Sequence, residues 1–149
     1  RPGCPGGALV VRDVKGEGMK DEGGIWDLKE RTREYALRMV RLFTALHKRG
    51  AAQVLGKQLL RSGTSVGAQY REATRSRSDA EFVSKIEAAL QEMEESRYGL
   101  ELIVGAHIMP SARLQPLINE THELTAILVT CAKRVKIRSA QRRCKGIGL

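Results

Sequence analysis

Apolar residues recur along most of this chain at alternating steps of three and four, the period of a helix with one buried face. From Asp27 onward Leu28, Thr32, Tyr35, Met39, Leu42 and Leu46 keep to one stripe. Asp27 with Glu30 three residues later reads as the N-cap pair that opens this helix, and Gly50 as its stop. A second segment starts at about Ala51 with the stripe Leu55, Leu59, Ser62, Val66, Gln69 and Ala73. Its apolar side chains shrink along the helix, and "TRSRS" breaks the pattern. The third segment opens on a capping box, Ser78 with Glu81. Phe82, Ile86, Ala89, Met93, Ser96, Leu100 and Ile103 then follow at heptad spacing, and Leu90 and Val104 widen the apolar face. Pro110 in "HIMPS" cannot continue a helix without losing a hydrogen bond. The fourth segment begins near Ser111 and carries Leu117, Thr121, Leu124, Leu128, Cys131 and Val135. Pro116 is close enough to its start to be tolerated with a small kink. No segment alternates with the period of two expected of a half-buried strand. The pattern predicts an all-α protein, an antiparallel up-down-up-down four-helix bundle over residues 25–139. A basic tail follows at 140–149.

One stretch works against its own helix. "LRSGTSVGAQYREA" places Gly63 and Gly67 in the second segment beside Ser62, Thr64 and Ser65. Each glycine costs about 1 kcal/mol relative to Ala in a helix interior. Gly63 and Gly67 are four apart and share a face, flanked by Ser62 and Ala68. Small residues at that spacing make a flat groove where another backbone can come close. The neighbour is either another helix of the same bundle or a second subunit, and closer dispersion contact offsets the propensity cost. Arg71 and Glu72, in the same stretch, can pair with charges on the third helix or on an adjacent subunit, helping to specify register.

The segment "LLRSGTSVGAQYREATRSRSDAEFVSKIEAALQEMEESRYGLELI", Leu59 to Ile103, resembles the central motif of the "four helix bundle protein" family, whose founding members are encoded within intervening sequences of bacterial 23S ribosomal RNA genes. The likeness extends more loosely from about Asp27 to Lys136. The pattern S-G-T-S-V-G-A-x-Y-R-E-A, Ser62 to Ala73, is specific, as is the R-x-R-S-x-A-E-F that follows it. Two departures stand out: Gln69 where Asn is usual, and Gly99 after Tyr98 where a bulky aromatic is common. The resemblance implies a bundle that assembles as a ring, typically a homopentamer. It also implies kinship with accessory proteins of diversity-generating retroelements, which bind a reverse transcriptase and nucleic acid through a basic surface. It supplies no active-site residues.

Composition sharpens this picture. Of 149 residues, 42% are hydrophobic and only 4% aromatic, so the core rests on Leu, Ile, Val, Met and Ala. The net charge of +9 points to an anionic partner. Lys133, Arg134, Lys136, Arg138, Arg142, Arg143 and Lys145 crowd the C-terminus with no acid among them, and Arg75 and Arg77 mark the turn after the second helix. Charge at a helix C-terminus complements the macrodipole, which accounts for Lys133 to Arg138 but not for the cations beyond. Such a cluster binds phosphates without reading sequence. Few aromatics leave base stacking a minor mode. These features favour a non-enzymatic nucleic-acid-binding protein, with a protein-interaction adaptor, such as a reverse-transcriptase accessory protein, as the alternative.

Reactive constellations are missing from the sequence. A di-iron bundle needs E-x-x-H pairs, whereas Glu120 and His122 are two apart. "GAAQVLGKQ" imitates a phosphate loop but is one residue too long and has Gln58 in place of Ser or Thr. His47, His107 and His122 are expected at the surface or at helix ends, and Glu87, Glu92, Glu94, Glu95 and Glu101 on a solvated or intersubunit face paired with Arg. No catalytic residue, metal or cofactor is expected. Cys4, Cys131 and Cys144 form no C-x-x-C, fitting reduced thiols in the cytoplasm. No apolar run suits a membrane.

Residues 1–24 are Gly-rich and without periodicity, and are expected to be disordered. Lys15-Gly16-Glu17-Gly18 can be encoded by purine-rich codons similar to a bacterial ribosome-binding site just ahead of Met19. The expectation is that residues 1–18 are a leader read through in frame. Mass spectrometry of the native N-terminus decides it, since a peptide spanning Gly18 and Met19 would refute it.

Overall fold

The computed structural model describes residues 27–147, and the expectations for residues 1–24 lie outside these residues. Four helices follow in order: α1 (Leu28–Ala45), α2 (Gly50–Thr74), α3 (Asp79–Gly105) and α4 (Ser111–Ile147). No strand occurs among the described residues. The ends are set by local chemistry. Asp27 accepts a hydrogen bond from the Lys29 N–H and caps α1, while Glu30 turns to Arg33 instead of closing a capping box. Gly50, at φ +63°, makes the left-handed turn into α2. Ser78 accepts from the Glu81 N–H, and the Glu81 carboxylate accepts from the Arg77 N–H. α3 ends in a Schellman motif: Ile108 N–H donates to Ile103 C=O and His107 N–H to Val104 C=O. His107 is the left-handed residue of that motif, at φ +55°.

Cross-helix partners show that neighbouring helices run antiparallel. Thr32 and Met39 of α1 approach Gly67 and Gly63 of α2. Arg61 of α2 meets Glu92 and Glu95 of α3, and Glu72 meets Lys85. Glu87 and Asp79 of α3 meet Lys136 and Arg138 of α4. Arg31 and Tyr35 of α1 reach Glu123 and Thr121 of α4. Among neighbouring helices contact is densest between α2 and α3 and sparsest between α1 and α4.

The stripes of α1, α3 and α4 are buried position by position. On α2 the buried face is broader than the predicted stripe. Leu55 and Gln69 sit at its edge, while Gly56, Gly63 and Tyr70 lie inside it. A Cβ on Gly63 would collide with Met39 Cγ and stand 3.1 Å from Met39 Cβ. On Gly56 it would stand 3.0 Å from Leu46 and 3.1 Å from Phe43. The glycines therefore admit α1 side chains. Gly99 does the same for Leu59, since a Cβ there would lie 2.9 Å from Leu59 Cδ2. A bulky aromatic at that position would not fit beside this leucine.

One layer of the core is polar. Tyr35, Ser62, Ser96 and Thr121, one from each helix, are all at most 1% exposed. Ser62 and Ser96 hydroxyls are 2.8 Å apart, and Tyr35 OH is 2.8 Å from Thr121 Oγ1. Thr121 donates its proton to Leu117 C=O, so Tyr35 must donate to Thr121. Ser62 in turn donates to Leu59 C=O at 3.4 Å, so Ser96 donates to Ser62. Bonds linked in this way strengthen one another, and all four hydroxyls of the layer have partners. Burial pushes the Tyr35 phenol up to about 12.

Candidate nucleic-acid interface

α4 has 37 residues, about 55 Å at 1.5 Å per residue, and α3 has 27, about 40 Å. The longer helix therefore overruns the shorter. The basic segment set apart in the sequence as a tail from residue 140 continues α4 as helix through Ile147. Asp79, the first residue of α3, fixes the overlap. Its carboxylate accepts from Arg138 Nη2 at 2.9 Å, Ser139 Oγ at 2.8 Å and Arg142 Nη1 at 3.4 Å. The Ser139 hydroxyl first, and then the two guanidiniums, hold this carboxyl below its ordinary range although burial opposes them.

This joint brings the α2–α3 turn and the last turns of α4 to one end of the bundle. Arg75, Arg77, Arg142, Arg143 and Lys145 are all exposed there. The remaining predicted cations lie further along α4. Lys136 pairs with Glu87, and Arg138 is committed to Asp79, with its Nε buried and unpartnered. Lys133 is exposed and Arg134 half-buried. An exposed ion pair such as Lys136–Glu87 contributes only about 0–1 kcal/mol, so a phosphate competes with it readily.

The residues singled out around the glycines divide. Ser62, Gly63 and Gly67 are buried within the bundle, against Ser96, Met39 and Thr32. Ala68 and Glu72 are exposed, and Glu72 pairs with Lys85 of α3. Arg71 is half-buried and reaches back to Gly67 C=O at 3.5 Å. The acids of α3 pair with bases: Glu92 and Glu95 with Arg61, Glu94 and Glu101 with Arg97. His47, His107 and His122 are exposed.

Sequence reasoning missed Asp79, whose only signal is its place just after the Ser78 cap. It also missed Arg38, Arg41 and Arg113, which converge only in the fold. Among the described residues no group of three or more His, Cys, Asp or Glu is placed to hold a metal, and no helix is long and apolar enough to cross a membrane. Cys131 is buried and Cys144 exposed.

The chain is similar to a Bacteroides thetaiotaomicron protein of unknown function from the S23 ribosomal protein family, whose crystal structure is known. The two are 34% identical, with a TM-score of 0.68, over 72% of this chain and 99% of that one. No curated protein matches. The family described as "23S rRNA-intervening sequence protein" matches residues 26–130, which takes in all of α1 to α3 and stops ahead of Lys133. With more than two thirds of its length matched, the chain belongs to the 23S rRNA-intervening sequence protein family.

Proposed function

We propose that this protein self-associates and binds nucleic acid, RNA or DNA, through phosphate contacts at the cationic end of the bundle. The observation that supports the reading is the Asp79 joint, which leaves Arg75, Arg77, Arg142, Arg143 and Lys145 exposed at one end of the bundle. Five guanidinium and ammonium groups around one committed carboxylate suit an A-form or B-form backbone and offer nothing that distinguishes bases. In a ring the patch repeats, and weak contacts add through multivalency.

Anisotropy titrations of a labelled RNA hairpin and a labelled DNA duplex, at 50 and 200 mM salt, test the proposal. Binding is expected for both and falls steeply with salt. Replacing Arg142, Arg143 and Lys145 with Ser lowers the log–log salt slope by about 2 to 3, at roughly 0.7–0.9 per lost contact. Asp79→Asn frees Arg138 and Arg142 and tightens binding at low salt. Absence of binding at 50 mM salt, or an unchanged slope in the triple variant, refutes the assignment.

A further inference from the structure

At the end of the bundle away from Asp79, α1 and α4 part to leave a cleft of about 320 Å³. Its floor is Leu42, Met109, Leu114 and Leu117, and its rim is Arg38, Arg41 and Arg113. Arg41 and Arg113 are exposed, and among the described residues none of the three arginines has an ion-pair partner. Three unpaired guanidiniums over an apolar floor call for an occupant that is acidic and apolar at once.

Among the described residues one surface is of that kind. α3 has seven acidic and two basic residues, whereas each of the other three helices has more bases than acids. On its outer face Glu94, Glu95, Tyr98, Glu101 and Leu102 form one stripe, at steps that keep them in line. Tyr98 is 62% exposed and Leu102 36%, and together they put apolar surface among the carboxylates. Arg61 and Arg97 do not neutralise the stripe, because Glu92, Glu94, Glu95 and Glu101 outnumber them.

We propose that the α1–α4 cleft receives the Tyr98–Leu102 stripe of a second copy of the chain, head to tail. The assignment rests on the self-association proposed above and names its two surfaces. Charge excludes the symmetric alternatives: cleft on cleft stacks guanidiniums, and stripe on stripe stacks carboxylates. Only cleft on stripe pairs opposite charge while covering Tyr98 and Leu102. The two surfaces lie on different sides of the bundle, so one copy can use both, and the contact propagates into a ring or a filament.

The test uses two variants of the full chain, each with one surface blocked at largely exposed positions, and circular dichroism to confirm that both fold. One carries Arg38→Ser, Arg41→Ser and Arg113→Ser; the other carries Tyr98→Lys and Leu102→Lys. Sedimentation velocity is expected to give a large species for the wild type, monomers for each variant alone, and a 1:1 heterodimer on mixing. That heterodimer needs one intact cleft and one intact stripe, which no symmetric contact supplies. If the variants assemble like the wild type, the surfaces are wrong although self-association stands. If they stay monomeric on mixing, cleft and stripe are not partners. A monomeric wild type overturns the self-association itself.

Discussion

Gly63→Ala tests whether the glycines of α2 exist to admit α1. In an unhindered helix the change gains about 1 kcal/mol. Here the new methyl meets Met39, which is fully buried, at its Cγ, with Cβ at 3.1 Å and Sδ at 3.3 Å. The clash is with the root of the side chain, so rotating its tip does not relieve it. Overpacking of this kind costs about 1–3 kcal/mol, leaving a net loss of about 1 kcal/mol after the propensity gain. Gly67→Ala is the internal control. Its nearest neighbours would be the tip of Arg71 at 3.3 Å and Thr32 at 3.6 Å. It is therefore expected to stabilise by up to about 1 kcal/mol. Urea unfolding followed by helix ellipticity reads both. In a Met39→Ala background Gly63→Ala should regain its propensity benefit, giving a coupling energy of about 1–3 kcal/mol. A Gly63→Ala protein as stable as Gly67→Ala, or no coupling to Met39, refutes the close-packing argument.

Further predictions concern the caps, the polar layer and the joint. His107→Gly relieves a left-handed non-glycine residue and should stabilise by about 1 kcal/mol in the same urea assay. Thr121→Val leaves the Tyr35 hydroxyl without its acceptor and should cost about 1–3 kcal/mol, more than Tyr35→Phe, which leaves Thr121 bonded to Leu117. Because burial raises the Tyr35 phenol to about 12, the unfolded chain loses that proton first, from about 10. Its contribution is thus complete below pH 10 and is lost as the pH rises toward 12; Tyr35→Phe should flatten that part of the stability profile. Asp79 runs the other way. Its carboxyl is depressed, so its contribution is present above about pH 4 and lost as the pH falls below that, and the stability difference between wild type and Asp79→Asn should shrink in acid.

Legibility followed the strength of the hydropathy signal. Leu28 to Leu46, Phe82 to Ile103 and Leu117 to Val135 are strongly periodic, and their buried faces are those read from spacing. α2 is less legible because two thirds of its core face is glycine, serine and alanine, which carry little hydropathy contrast. Spacing puts Gln69 on the stripe, whereas Tyr70 is the residue that is buried and Gln69 is left at the edge with its Oε1 unpartnered. Partners far apart in sequence left no local trace. Arg31 with Glu120, Asp79 with Arg142, and the cleft between α1 and α4 all arise from how the helices align. The basic residues were legible individually. Their meeting with Arg75 and Arg77 was not, since it depends on one carboxylate at a helix start.

The two hydroxyl pairs at the centre of the core have a consequence for how the chain matures during synthesis. Their members come from all four helices, so no fragment owns the layer. A nascent α1–α2 hairpin holds Tyr35 and Ser62 with neither bonded across helices, and adding α3 satisfies the serine but still leaves the tyrosine without its acceptor. The layer is complete only when Thr121 emerges, which makes the final helix the arbiter of when the earlier three can become dry.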